Sequence, residues 1–217
     1  MYRLYHFAFL LLSFDTIKEK SEVELMNHKL SVFMCQKLLK YKAIDEELSE
    51  IYIYGFELIF SFLISTTAIL TIGIVLNQVI PTLIFLVFFI LIRRYTGGYH
   101  ANTYLKCQIY TISSYIFVIS ASLFLPVFDL FFLILMLAGI ITIIAIGPIE
   151  NPHKQLTEQE KRKHKKTGLF LFSAAGVIGY TANYFHSNLS NTIFYTLFLI
   201  IVLMVIPYIS NKYFHRT

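Results

Sequence analysis

Charge is scarce in this chain. Asp, Glu, Lys and Arg make up 14% of its 217 residues, against about a quarter in an ordinary soluble domain. Beside a 57% apolar content, that shortage excludes a typical soluble globular domain. Cysteine is scarce too, with Cys35 and Cys107 far apart in the sequence. Nothing supports a disulfide between them, and the cation pattern below puts both on the cytoplasmic side, where thiols stay reduced. Internal repeats and low-complexity tracts are missing. The net charge of +5 does not mark a nucleic-acid binder. The basic residues flank apolar runs, and no aromatic-basic surface accompanies them.

Long apolar runs are what the chain has in quantity. A membrane-crossing helix needs about 20 mostly apolar residues. Candidate runs cover residues 51–76, 79–92, 109–125, 131–146, 168–184 and 193–209. The second is short for a crossing unless Arg93 and Arg94 snorkel to the interface. Asn77, Gln78 and Pro81 mark one turn, Pro126 and Asp129 another, and Gly147-Pro148 a third.

The cations fix an orientation. Lysines 29, 37, 40 and 42 precede the first run. Arg93, Arg94 and Lys106 lie between the second and third. A basic cluster from Lys161 to Lys166 lies between the fourth and fifth, and Lys212 and Arg216 follow the sixth. The alternate loops, around Asn77, Asp129 and Ser187, contain no lysine or arginine. Six crossings put every cation on one side, and the positive-inside rule makes that side cytoplasmic. The fold expected is an all-α membrane protein of six transmembrane helices, with both termini cytoplasmic and an amphipathic cytoplasmic helix near the N-terminus.

That amphipathic helix is expected over residues 28–50. Leu30, Phe33, Met34, Lys37, Leu38 and Tyr41 form its stripe. It either lies flat on the inner leaflet or packs on the cytoplasmic loops. The organisation expected is an interfacial segment over 1–50, a polytopic membrane domain over 51–210 and a cytoplasmic tail over 211–217. Residues 1–25 are too short in apolar length to span and lack the small-residue cleavage site of a signal peptide. They are either an interfacial anchor or not part of the native chain, with Met26 as the true start.

The most informative stretch runs from Arg93 to Cys107, between two apolar runs. It holds two arginines, Gly97-Gly98, His100, Asn102 and Cys107. Cysteine is a strong nucleophile once deprotonated, and histidine is the usual base beside it. Most cysteines in membrane proteins are small core hydrophobes. Cys107, however, follows a helix start that Asn102 or Thr103 can cap, with Lys106 adjacent. On one straight helix, His100 and Cys107 would share a face but stand about 10 Å apart, at 1.5 Å per residue. Pairing them requires a bend, and Gly97-Gly98 supplies it. Those glycines are either a plain turn or a source of bare N–H groups for an oxyanion. The arginines are membrane-edge anchors, or one of them, Arg94 being the candidate, binds a carboxylate of the substrate or of Glu150.

The second informative stretch is Pro148-Ile149-Glu150-Asn151-Pro152-His153-Lys154. Its two prolines make a rigid turn, and Glu150 near the membrane edge could orient a histidine. The following Thr157-Glu158-Gln159-Glu160 has the form of a capping box, so a basic helix starts there. Its lysines suit anionic lipid or an acidic peptide.

Taken together, Arg94-Tyr95-Thr96-Gly97-Gly98-Tyr99-His100-Ala101, the cysteine at 107 and the Pro148 to Thr157 motif resemble the accessory gene regulator B family of membrane peptidases. The resemblance covers about residues 26–210. It implies a quorum-sensing thiol protease of the cell membrane with His100 and Cys107 catalytic, no cofactor, and a small amphipathic precursor peptide with an acidic tail as partner. It implies cleavage at the tail, an acyl-enzyme on Cys107 and closure of a thiolactone or lactone. Arg94, Gly97, Gly98, Asn102 and Glu150 become candidates for support or substrate contact, and a homodimer is the family's implied assembly. Two rivals from other classes are a small peptide exporter and a metal site built from His100, Cys107 and His153. The exporter lacks a mid-membrane acidic residue, since Glu57 and Asp129 lie near run ends. The metal site lacks tight ligand spacing.

Overall fold

A computed structural model describes residues 22–98, 103–149, 156–185 and 187–214. Among them there are seven α-helices and no strand. Helix α1 is Glu22–Lys40, followed by a 3-10 turn at Glu46–Leu48. Then come α2 (Ser49–Val75), α3 (Val79–Thr96), α4 (Tyr104–Phe124), α5 (Asp129–Ile146), α6 (Glu158–Ala182) and α7 (Ser187–Phe214).

Local chemistry explains where these helices stop and start. The α2 end is a Schellman turn. Gln78 N–H donates to the Gly73 carbonyl at 2.8 Å and Asn77 N–H to the Ile74 carbonyl at 3.0 Å. Asn77 takes φ 54°, a left-handed conformation that asparagine tolerates. Pro81 sits in the first turn of α3, where its missing N–H costs nothing. Helix α6 begins with the expected capping box. Thr157 Oγ1 accepts from Glu160 N–H at 3.3 Å, and Thr157 N–H donates to the Glu160 carboxylate at 2.9 Å.

Among the described residues, five helical segments are long and apolar enough to cross a membrane: Glu46–Val75, Val79–Thr96, Tyr104–Phe124, Asp129–Ile146 and Asn188–Ile209. Their outer faces expose large apolar side chains, among them Phe62, Leu83, Leu133, Leu137 and Ile141. In water that belt would be a large unfavourable apolar surface; lipid is its natural solvent. The chain is an all-α membrane protein. The fifth expected run differs from the others. It forms the apolar end of α6, whose opening turns carry the cationic cluster from Lys161 to Lys166.

The described chain divides into two compact units. One comprises Met1–Ala68 with Ala101–Ser113, the other Ile69–His100 with Ser114–Thr217. In the second unit, Phe85, Ile92, Tyr115, Phe172, Leu197 and Met204 are fully buried. Glycines let α5 and α6 approach closely. A Cβ on Gly139 would lie 2.1 Å from the Phe172 ring, and one on Gly176 would lie 2.1 Å from Met136. Small residues serve the same purpose at membrane helix interfaces generally.

The first unit differs from expectation in one helix. The amphipathic helix begins at Glu22 and ends at Lys40, instead of spanning 28–50. Its inward residues are Asn27, Ser31 and Cys35, all buried, while Leu25, Met26, Leu30 and Phe33 face outward. The inner face is polar because its partners are polar. Asn27 Nδ2 donates to the Glu57 carbonyl at 3.2 Å, and the Cys35 thiol lies 3.6 Å from the Ser49 carbonyl. Of the apolar stripe read from the sequence, Leu30, Phe33 and Tyr41 are exposed, while Met34 and Leu38 are half-buried.

Candidate active site

Cys107 is the fourth residue of α4, in the first compact unit. Thr103 caps that helix. Its Oγ1 accepts from the Lys106 N–H at 3.3 Å, satisfying one of the donors that a helix start leaves open. Cys107 N–H already bonds within the helix, to the Thr103 carbonyl at 3.1 Å. The helix-start field at Cys107 is therefore weak, as it fades beyond the first turn. The two thiols differ in access: Cys107 is partly exposed, while Cys35 is 1% exposed.

The residues around Cys107 are tied down by side chains that sequence reading did not single out together. The Tyr104 ring lies 6.5 Å, centre to centre, from that of Tyr54. Glu57 Oε1 lies 2.6 Å from His28 Nδ1. Leu105 N–H donates to the Glu24 carboxylate at 3.3 Å, and Gln108 Nε2 donates to Ser61 Oγ at 3.2 Å. The Glu57 side chain is 14% exposed. A carboxylate in an otherwise apolar run was the signal available in the sequence.

Arg94, Gly97 and Gly98 belong to the second unit. Gly97 closes α3 with φ 70°. Its N–H donates to the Arg93 carbonyl at 3.0 Å. That donor is engaged by the helix end, which removes it from the pair considered for an oxyanion. The structure gives Gly97 a different task. Ile149 N–H donates to the Thr96 carbonyl at 2.9 Å, making a parallel bridge between Gly97 and Ile149. A Cβ on Gly97 would lie 2.0 Å from the Ile149 carbonyl oxygen. The glycine motif and the Pro148-Ile149 motif, about fifty residues apart in sequence, thus meet backbone to backbone. Gly98, at φ 145°, lies against the Leu203 carbonyl.

Arg94 is exposed, with its guanidinium 5.9 Å from the Tyr95 ring centre. Tyr95 in turn meets the His164 ring edge-on at 5.4 Å. Arg93 lies 5.3 Å from the Phe89 ring. On α6, Gln159, Arg162, Lys163, Lys166 and Thr167 line a shallow basic groove. The other expected site residues, His100, Asn102 and Glu150, lie outside the described residues, as does His153.

The sequence model of a protein family described as "Accessory gene regulator B" matches residues 31–208. Among curated proteins, the chain is similar to AgrB-like protein 2 of Clostridium perfringens (strain 13 / Type A). The two are 27% identical over 150 residues, covering 66% of this chain and 70% of the other. An AgrB-like protein of Clostridium perfringens (strain SM101 / Type A) is 26% identical over the same length and coverage. No solved structure gives a significant match.

Proposed function

The chain belongs to the accessory gene regulator B family, and from that premise we propose that it is a membrane-embedded cysteine endopeptidase that cuts and cyclises a small quorum-sensing precursor peptide. The observation that carries this reading is the contrast between the two thiols. Cys107 is partly exposed at the head of a capped helix, and Cys35 is sealed in the core of its unit.

The chemistry runs in two transfers. His100 takes the proton from the Cys107 thiol. The thiolate attacks the carbonyl carbon at the boundary with the acidic tail. The peptide C–N bond breaks, the tail leaves as an amine carrying the proton from His100, and the precursor stays on Cys107 as a thioester. A cysteine thiol or serine hydroxyl of the precursor then attacks that thioester. The C–S bond to Cys107 breaks, the ring closes as a thiolactone or lactone, and the incoming group's proton returns to the Cys107–His100 pair. A thioester keeps the acyl group reactive enough for ring closure, so a cysteine nucleophile suits the task.

Six crossings with both termini cytoplasmic agree with every cation position, and they put Cys107 at the inner headgroup level. The apolar end of α6 counts as the fifth crossing if Lys165 and Lys166 reach to the interface. An amphipathic precursor lying on the inner leaflet would present its cut site at that depth. The basic groove on α6 would attract its acidic tail.

The test uses the peptide encoded by a short neighbouring reading frame with an amphipathic start and acidic end. Cys107→Ala and His100→Ala should each abolish its cleavage while the protein still accumulates in the membrane. Cys35→Ala should retain activity. A dead Cys35→Ala with an active Cys107→Ala would reverse the assignment.

A further inference from the structure

Two contacts fix how α1 (Glu22–Lys40) runs beside α2 (Ser49–Val75). Asn27 Nδ2 donates to the Glu57 carbonyl at 3.2 Å, and the Cys35 thiol lies 3.6 Å from the Ser49 carbonyl. Eight positions separate Asn27 from Cys35, and eight separate Ser49 from Glu57. The helices therefore run side by side and antiparallel over about 12 Å, at 1.5 Å per residue. A helix that runs along a membrane-crossing helix does not lie flat on a leaflet.

The sequence of α2 supplies a depth scale. Residues 58–75 carry no charged side chain and reach about 27 Å, close to the hydrocarbon thickness. The turns before them, residues 49–57, then stand at headgroup level, where the exposed Tyr52 and Tyr54 suit the interface. The antiparallel pairing carries that scale over to α1. Leu25 and Met26 come level with the start of the uncharged stretch. Leu30 and Phe33 come level with the first turns of α2. Lys37 and Lys40 come beyond its start, on the water side.

The two faces of α1 are unlike. Asn27, Ser31 and Cys35 are buried against the unit. Met26, Leu30, Phe33 and Lys37 recur at helical spacing on the other side, and all four are exposed. Lys37 Nζ lies 4.6 Å from the Phe33 ring centre. In water, Leu25, Met26, Leu30 and Phe33 would make an unfavourable apolar patch. The outer face is also graded along its length, apolar toward the bilayer and cationic away from it. That gradient matches the edge of a leaflet, with acyl chains on one side and anionic headgroups on the other. At the depth of Leu25 and Met26, α2 itself exposes Leu58 and Ile59.

We propose that α1 is a lipid-binding element that enters the leaflet end-on beside α2, with Leu25 and Met26 against acyl chains and Lys37 and Lys40 over anionic headgroups. The inference rests on α2 crossing the bilayer and is independent of the chemistry proposed for Cys107. The cation pattern makes the leaflet the inner one. Leu105 N–H donates to the Glu24 carboxylate of α1 at 3.3 Å, so lipid contact at α1 also holds the start of α4 at the membrane edge.

Fluorescence quenching on the full chain tests it, in a background of Cys35→Ser and Cys107→Ser. Met26→Cys, Phe33→Cys and Lys40→Cys are each labelled with nitrobenzoxadiazole and placed in phosphatidylcholine vesicles, with or without phosphatidylglycerol. Ile59→Cys, on the exposed side of α2, reports insertion. Quenching by lipids brominated on their acyl chains should be strong at Ile59 and Met26 and fall severalfold toward Lys40. Quenching by acrylamide in the water should rise in the same order. Phosphatidylglycerol should lower acrylamide quenching at Phe33 about twofold, and Lys37→Gln with Lys40→Gln should abolish that difference. Acrylamide quenching at Met26 and Phe33 as strong as at Lys40, with no effect of brominated lipid, would overturn the proposal. So would shielding of both positions from both quenchers, which would mean a protein partner such as a second copy of the chain or a bound peptide. Equal quenching by brominated lipid from Met26 to Lys40 would make α1 a flat helix and overturn the end-on placement. A phosphatidylglycerol effect that survives loss of both lysines would overturn the headgroup contact. No quenching by brominated lipid at Ile59 would remove the α2 crossing on which the inference rests.

Discussion

Gly97 carries two constraints at once. Its φ of 70° lies where residues with a Cβ are strained, and a Cβ would stand 2.0 Å from the Ile149 carbonyl oxygen. The atom in the way is backbone, so no side chain can swing aside. Gly97→Ala should cost on the order of 1–3 kcal/mol from backbone strain and also open the Thr96–Ile149 hydrogen bond. Thermal unfolding in detergent checks the first effect. Precursor cleavage should fall with it, because the motifs on either side of that bond separate. A Gly97→Ala protein with wild-type unfolding and activity would contradict the close approach. At Cys107, replacement by serine should lower cleavage at least a hundredfold. A hydroxyl is a poorer nucleophile beside a histidine alone, and its ester lacks thioester reactivity. Rates with the same precursor measure it, and a near-normal Cys107→Ser enzyme would count against acyl transfer.

At the scale of elements, the capping box of α6 was legible because it is local. Thr157 and Glu160 are three residues apart and serve each other's backbone. Thr157→Ala should destabilise the basic helix by about 1 kcal/mol, read as a lowered unfolding midpoint with the Cys107 chemistry retained. The Thr103 cap on α4 was legible for the same reason. The inner face of α1 was not. Its apolar residues at helical spacing pointed to Leu30 and Phe33 as the stripe, and they do lie together, but facing outward. Asn27 is anchored on the Glu57 carbonyl, about thirty residues on, and no local pattern reports such a partner. The Gly97–Ile149 bridge escapes sequence reading likewise, since it joins segments roughly fifty residues apart. The motif glycines and Cys107 could be picked out one by one; what the glycines touch could not.

For the whole molecule, charge asymmetry and apolar length carried most of the architecture. Among the described residues, five helical segments are long and apolar enough to cross a membrane by length and composition alone. The remaining expected run, 168–184, forms the apolar end of α6, joined without a break to its charged start. The proposed arrangement predicts that a cysteine placed at Ser187 is labelled by an impermeant reagent from outside, and one placed at Lys165 is not, in a chain lacking Cys35 and Cys107. The reverse pattern would invert the molecule and move Cys107 to the outer face. The central claim, however, is covalent. A precursor whose ring-forming cysteine or serine is replaced by alanine should still be attacked by Cys107, because ring closure follows acylation. Mass spectrometry of the purified enzyme after exposure to that precursor is the most direct measurement. The account predicts that the truncated precursor is found attached to the peptide containing Cys107, with no cyclic product. Linear product released at full speed with no adduct on Cys107 would contradict it and make water the nucleophile.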